Sequence, residues 1–153
     1  MALYLVQHGK SLPKDQDSDP GLTVEGISDV ERIAAVAKGY GVRVAVIRHS
    51  GKKRAQQTAE IFAAALRPVE GILVGGGLNP LDEVAPWAGQ VRSEEDAMLV
   101  GHLPFMERLT SQLVTGSPER LVFKFQNGGI VCLDKGTETP LWYIKWTLMP
   151  HIG

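Results

Sequence analysis

The sequence has few of the features that mark exported, membrane-spanning or nucleic-acid-binding proteins. Its 153 residues include one cysteine, Cys132, which excludes an internal disulfide and a multi-cysteine zinc cluster and favours a reducing compartment. No apolar run approaches the roughly 18 residues of a membrane span, and the run at residues 2–6 is too short for the core of a signal peptide. With 16 basic and 17 acidic residues, the chain has no broad basic field that would attract nucleic acid or an anionic membrane. We therefore expect a cytoplasmic protein whose anion-binding site, if it has one, is local.

The length and the order of predicted elements favour one α/β domain. About 150 residues bury enough surface to form a core without disulfides or a structural metal, and we predict a single domain over residues 1–153. Apolar runs rich in strand-forming residues predict buried strands at residues 3–6, 43–47, 71–74 and 97–100. Apolar residues at helical spacing predict helices after Thr23 and over residues 55–66 and 103–114. This alternation predicts a three-layer α/β/α sandwich with a mostly parallel central sheet.

The last third of the chain is predicted to form strands. Strand-like segments lie at residues 121–125, 129–133 and 141–148, and the turn residues between the last two predict a hairpin at the far side of the sheet. Alternation of side chains in the last segment places Trp142 and Trp146 on one face and Tyr143 on the other, where they pack in the sheet.

Two histidines, His8 and His102, each come directly after a predicted buried strand. If both strands are central and parallel, the imidazoles converge at the sheet edge where α/β proteins bind ligands. Basic residues lie at the same level of the fold, namely Lys10, Arg48, Lys52, Lys53 and Arg54. The planar fork of an arginine matches two phosphate oxygens, and Arg54 lies near a helix start, where backbone N–H groups favour an anion. The pattern predicts a phosphate site.

A metal site is the alternative interpretation of the two histidines. His8, His102 and a carboxylate such as Asp82 would satisfy the ligand preferences of zinc. The basic residues around the histidines disfavour a cation, so the phosphate site is the stronger hypothesis.

Four segments, in order along the chain, resemble the motifs of one family. Residues 3–9 (LYLVQHG) resemble an opening strand with an Arg-His-Gly motif, and residues 22–26 (LTVEG) are similar to its Leu-Thr-x-x-Gly helix entry. Residues 49–59 (HSGKKRAQQTA) resemble its second arginine motif, and residues 100–104 (VGHLP) its second histidine motif. The chain thus resembles the histidine phosphatase superfamily, with its phosphoglycerate mutase-like fold, and within it the short SixA-type phosphohistidine phosphatases.

The resemblance implies a role for each motif residue. His8 would attack phosphorus as a neutral imidazole and form a phosphohistidine enzyme intermediate, which water then hydrolyses. Arg54 would hold the phosphoryl oxygens, and His102 would stabilise the transferring group. The further substrate-binding candidates are Gln7, Gly9, Lys10 and Ser50. Asp82 or Glu83 is the candidate general acid, and neither a metal nor a cofactor is required.

Gln7 is the main departure from the family pattern, because it stands where the motif has an arginine beside the nucleophile. A carboxamide offers two neutral N–H donors in place of a charged fork. A charge-assisted hydrogen bond contributes roughly 1.5–3 kcal/mol against about 1 for a neutral one. The exchange weakens transition-state binding on the order of tenfold to a hundredfold unless another cation, such as Lys10 or Arg48, compensates.

The substrate implied by the resemblance is phosphohistidine on a protein partner, such as a histidine-containing phosphotransfer or sensor kinase domain in signal transduction. A short chain leaves few insertions to form a lid over a small metabolite, which agrees with a site open to a folded protein. Two alternatives stay open. One is a phosphomonoesterase acting on a small phosphorylated molecule, and the other is a catalytically weak module that binds phosphate or a phosphoprotein because Gln7 replaces arginine.

Overall fold

A computed structural model describes residues 1–152 and shows a six-stranded sheet between helices. The strands are β1 (Leu3–Gln7), β2 (Val46–His49), β3 (Ile72–Val74), β4 (Ala97–Gly101), β5 (Ile130–Lys135) and β6 (Trp142–Leu148). The helices are α1 (Val24–Gly39), α2 (Lys53–Leu66), α3 (Ala85–Gln90) and α4 (Phe105–Thr115), with a 3₁₀ turn at Ser93–Glu95. None of the helices within residues 1–152 is both long and apolar enough to cross a membrane.

The sheet has the order β3-β2-β4-β1-β5-β6. Strands β1 to β4 run parallel to one another, whereas β5 pairs antiparallel with β1 and with β6. The mostly parallel sheet and the terminal hairpin are therefore confirmed. Since β1 and β4 are central neighbours, with Gln7 opposite Gly101, the residues that follow these two strands start at the same level.

Helices cover both faces of the sheet, which confirms the three layers. Helices α1 and α2 close one core, which includes Tyr4, Val6, Val30, Ile47, Ala59, Phe62 and Met98. Helices α3 and α4 close the other, which includes Leu3, Leu5, Trp87, Leu99, Phe105 and Leu109.

Two predicted strands differ from the structure. The second strand runs over Val46–His49 and not over residues 43–47, because its pairing with β4 begins only at Val46. The segment 121–125 is not a strand: both edges of β5 are already occupied by β1 and β6, and the N–H of Phe125 donates to the Glu107 carboxylate at 3.1 Å. Tertiary contacts thus override the strand propensity of this segment.

The prediction that Trp142 and Trp146 share a face is wrong. The ladder between β5 and β6 shifts register, so that Leu133 pairs with Ile144 while Cys132 pairs with Trp146. One extra residue in β6 reverses the alternation. Trp142 consequently packs in the core under α3 and α4, and Trp146 packs against the core under α1 and α2.

Helix α1 begins where the Leu-Thr-x-x-Gly resemblance placed it. The Thr23 hydroxyl caps the helix by accepting a hydrogen bond from the Gly26 N–H at 2.9 Å. A Cβ on Gly26 would lie 2.2 Å from the Lys10 carbonyl oxygen. The glycine therefore lets α1 approach the backbone that follows β1, which fixes the path of the chain just after His8.

Candidate active site

The structure brings His8 and His102 together at the carboxyl ends of β1 and β4. Their ring centroids are 5.0 Å apart and the ring planes meet at 53°. The backbone N–H of His8 donates to the Gly101 carbonyl at 2.9 Å, which extends the β1–β4 pairing by one step. The convergence of the two imidazoles thus follows directly from the adjacency of two parallel strands.

Hydrogen bonds fix which nitrogen of His8 is free to react. Nδ1 lies 2.7 Å from the Gly9 carbonyl oxygen, and because a carbonyl only accepts, Nδ1 carries the proton. Nε2 therefore holds a lone pair, toward which the Nε–H of Arg54 donates at 3.3 Å. Burial lowers the pKa of His8 to about 4; the Gly9 hydrogen bond opposes this shift in part, and the nearby Arg54 charge adds a smaller lowering effect. At neutral pH the side chain is uncharged and has a free lone pair on Nε2.

His102 is buried and carries no charge at neutral pH. Its Nε2 lies 2.6 Å from the Ser50 hydroxyl oxygen, and its Nδ1 is buried without a hydrogen-bond partner among the described residues. Burial lowers the pKa of His102 to about 3, and His8 when it is protonated, together with the charges of Arg54, Lys52 and Lys14, acts in the same direction. The imidazole is thus a neutral polar group with one unused nitrogen.

The first turn of α2 holds Arg54 in place. The Arg54 side chain is buried beside His8, and burial lowers the pKa of its guanidinium from the ordinary value. The Thr58 hydroxyl accepts from the Gly9 N–H at 2.9 Å and donates to the Arg54 carbonyl at 2.8 Å. One buried hydroxyl thereby connects the residue after the nucleophile to the turn that carries the arginine.

Two comparisons with known proteins agree with this geometry. Residues 3–74 match the family described as the histidine phosphatase superfamily, branch 1. The chain has the fold of the histidine phosphatase superfamily. The family resemblance carried by the motifs is therefore confirmed. No curated protein matches the chain in sequence.

Solved structures of several phosphatases are similar over almost the whole chain. The protein histidine phosphatase SixA in complex with tungstate is 23% identical, with a TM-score of 0.83 over 98% of this chain and 97% of its own. An Agrobacterium tumefaciens protein assigned as the phosphohistidine phosphatase SixA is 25% identical, with a TM-score of 0.76 over 97% of each chain. The α-ribazole phosphatase of Shigella flexneri is 15% identical, with a TM-score of 0.72 over 100% of this chain and 98% of its own.

Gln7 occupies the place of the superfamily's first arginine and makes few contacts. Its carbonyl accepts from the Gly128 N–H at 2.8 Å. Its side-chain Oε1 is buried and has no hydrogen-bond partner among residues 1–152. A buried carboxamide oxygen without a partner is unfavourable, so this end of β1 has hydrogen-bonding capacity that the free protein does not use.

The structure directs the side chains of Lys10 and Arg48 elsewhere, and neither compensates for the missing arginine. The Lys10 ammonium lies 2.8 Å from the Glu25 carboxylate on α1. The Arg48 guanidinium lies 3.7 Å from the Glu95 carboxylate and lines a separate cavity with Trp87. Each cation thus already has its own carboxylate partner.

The candidate general acids are not held against the histidines. The Asp82 carboxylate accepts from the Asn79 N–H at 2.8 Å, which closes the turn before α3. Glu83 is exposed. Within residues 1–152 neither carboxylate makes a hydrogen bond or ion pair to His8 or His102. Within residues 1–152, no contact with the two histidines positions either carboxylate as an acid.

The metal alternative lacks a complete ligand set at the two histidines. In the described part of the chain, one group of three side chains is close enough to share an ion, namely Glu25, Asp29 and His151. Glu25 and Asp29 lie in the first turns of α1. Lys10 already pairs with Glu25 there, and Arg32 lies 3.4 Å from Asp29. His8 and His102 form no such group with Asp82.

Several residues that shape the site were not predicted to do so. Thr58 lies inside the arginine motif, yet nothing in its spacing shows that it accepts from Gly9. Asn127 donates to the His8 carbonyl at 2.9 Å from a segment far away in sequence. Lys14 lies in a polar loop whose composition indicates only a surface position. These contacts depend on tertiary structure, and a short motif does not contain them.

Proposed function

We propose that the protein is a phosphatase that uses His8 as its nucleophile and removes the phosphoryl group from a phosphohistidine on a protein partner. The observation that carries the proposal is the unprotonated Nε2 of the half-buried His8, which accepts from the buried Arg54 in a ring that lies 5.0 Å, centroid to centroid, from a second imidazole. The superfamily match and the related structures support the coarser statement, a phosphatase.

The reaction runs in two displacements. In the first, the Nε2 lone pair forms a bond to phosphorus while the bond from phosphorus to the leaving group breaks. Arg54 moves its N–H groups from Nε2 to the phosphoryl oxygens, and His102 with Ser50 lies beside the transferring group. In the second, water attacks phosphorus, releases inorganic phosphate and returns His8 to its starting state.

The absence of a positioned acid favours an imidazole leaving group. A protonated phosphoimidazole departs as neutral imidazole, whereas an alkoxide needs a proton from the enzyme. The Asp82 carboxylate is occupied by the turn that it closes. A phosphoramidate therefore suits this site better than a phosphomonoester.

Parallel assays on two substrates test the proposal. Phosphate release is measured, with chelator present, from a phosphohistidine peptide and from a small phosphomonoester. We expect faster release from the peptide, a loss of at least a thousandfold in His8→Ala and little change in His151→Ala, a matched control whose imidazole lies on Asp29. A labelled phosphoenzyme that is acid-labile and stable to base identifies the intermediate.

Two outcomes would replace this proposal. Faster release from the phosphomonoester would favour a small-molecule phosphatase. Tight binding of inorganic phosphate without release from either substrate would favour a phosphate-binding module, which the neutral Gln7 specifically suggests.

A further inference from the structure

The cations in contact with His8 carry too little positive charge to balance the phosphoryl group that the site is proposed to hold. A phosphoryl group carries up to two negative charges at neutral pH. The two imidazoles are neutral, Gln7 is neutral, and Arg54 is the cation in contact with His8. The Asp19 carboxylate lies close enough to Arg54 to raise the pKa of the guanidinium against the effect of burial. Its negative charge therefore offsets part of the positive charge of Arg54. A second cation is needed.

Lys52 lies where such a cation would act. It is half-buried at the N-cap of α2, two residues after Ser50 and two residues before Arg54. Its backbone N–H points toward the Ser50 hydroxyl at 3.4 Å, and that hydroxyl contacts Nε2 of His102 at 2.6 Å. Its charge is among those that lower the pKa of His102. Within residues 1–152 Lys52 makes no salt bridge.

The neighbouring lysines are less suited to this role. Lys53 is exposed, and its ammonium lies 3.9 Å from the Asp17 carboxylate. Lys14 also acts on His102, but it is exposed in the loop between the Ser11–Leu22 bridge partners. Ordering a free lysine costs side-chain entropy, and a half-buried lysine has already lost part of that entropy. Lys52 is therefore the better placed of the three.

We propose that Lys52 donates a hydrogen bond to a phosphoryl oxygen and supplies the second positive charge that Gln7 does not provide. The expected effect of Lys52 on the reaction rate rests on the proposed function. Its expected effect on affinity requires only that the site binds phosphate. It makes the β2–α2 loop, with Ser50, Lys52 and Arg54, the main oxyanion-holding segment. The end of β1 then contributes chiefly the nucleophile.

The test compares Lys52→Gln with Lys53→Gln, the same substitution one residue further along. We expect Lys52→Gln to lower kcat/KM about tenfold or more, since a charged hydrogen bond becomes neutral or is lost, while Lys53→Gln stays within about twofold. Lys52→Arg should restore most of the activity. Gln7→Arg should raise activity more in the Lys52→Gln background than in the native chain, because both residues supply the same charge.

A binding readout separates this inference from the proposed function. The affinities of these variants for inorganic phosphate and for tungstate should follow the same order as their activities, with Lys52→Gln binding most weakly. This order should hold even if the native chain releases no phosphate. Equal affinities and rates for Lys52→Gln and Lys53→Gln would overturn the role of Lys52 and leave the His8 mechanism untouched. Strictly additive effects of Lys52→Gln and Gln7→Arg would contradict the inference that Lys52 compensates for the arginine that Gln7 replaces.

Discussion

At the scale of single residues, the chemistry of the site depends on which nitrogen of each imidazole carries a proton. The Gly9 carbonyl assigns the proton of His8 to Nδ1 and leaves Nε2 as a nucleophile. Burial keeps both rings neutral without a metal or a neighbouring carboxylate. The same burial makes each hydrogen bond to these rings more valuable than it would be in water. Loss of one contact at the site should therefore affect reactivity more than loss of a surface contact.

The titration of His8 is the first prediction at this scale. An NMR titration of histidine-labelled protein should give a His8 pKa of about 4, well below the ordinary 6.5. Arg54→Gln should raise the pKa, because the guanidinium disfavours a protonated imidazole, whereas Lys53→Gln should leave it unchanged. Correspondingly, protonation of His8 should limit kcat/KM only below about pH 4 to 5. A native His8 pKa close to 6.5 would contradict the described burial.

At the scale of elements, the approach of α1 to the chain after β1 positions the nucleophile. Gly26→Ala should be destabilising, because its Cβ would meet the Lys10 carbonyl oxygen at 2.2 Å. We expect a loss of about 1–3 kcal/mol in the free energy of unfolding, typical of forced overpacking, and a fall in activity as the backbone near His8 moves. Gly39→Ala is the matched control in the same helix, since its Cβ would meet nothing within 4 Å.

Urea unfolding monitored by circular dichroism measures both glycine variants. If Gly26→Ala and Gly39→Ala have the same stability and the same activity, then α1 does not constrain the loop that carries His8. A change in activity without a change in stability would instead show that Gly26 acts only through the position of that loop.

The elements also show what the sequence predicts and where it stops. Continuous apolar runs identified β1 and β4 almost to the residue, because strands buried on both faces need no polar alternation. The segment 121–125 also has strand propensity, yet it pairs with no strand of the sheet, and the Phe125 N–H donates to the Glu107 carboxylate instead. Helix α3 was missed, since six residues that include Pro86 and Gly89 carry too little helical periodicity. Propensity is local, whereas the availability of a pairing edge is a property of the whole sheet.

The site followed the same division. His8, Arg54 and His102 were predictable, because each is placed by the end of a strand or the start of a helix. The proposed compensating cation, Lys52, was not predictable from the sequence. Lys10 and Arg48 were expected near the phosphate, and both pair with carboxylates elsewhere. Where a long side chain points depends on its partners in the folded chain, and spacing along the sequence does not give those partners.

At the scale of the whole molecule, the parallel half of the sheet and the antiparallel half have different tasks. Strands β1, β2 and β4 deliver His8, the loop after His49, and His102 to one edge. The hairpin of β5 and β6 closes the other side of β1, and the turn before β5 returns Asn127 to the His8 carbonyl. The His8 backbone is therefore held by hydrogen bonds to β4 and to the turn before β5.

The two buried imidazoles should make the stability of the whole fold depend on pH. The unfolded chain binds a proton on each histidine near pH 6.5, whereas folded His8 binds one only near pH 4 and His102 only near pH 3. Between these values the unfolded state binds more protons, so the free energy of unfolding falls as the pH falls. For His8 alone the full loss is at most about 3 kcal/mol.

Urea unfolding at pH 7, 6 and 5 tests this before most carboxylates begin to titrate. We expect the free energy of unfolding to decrease steadily from pH 7 to pH 5 in the native chain. The decrease should be smaller in His8→Asn, which removes one base of the site but keeps a polar side chain. In the control variant His151→Ala, the decrease should persist even at saturating phosphate. Equal stability of the native chain at pH 7 and pH 5 would mean that both imidazoles are hydrated in the folded protein, with pKa values near the ordinary 6.5.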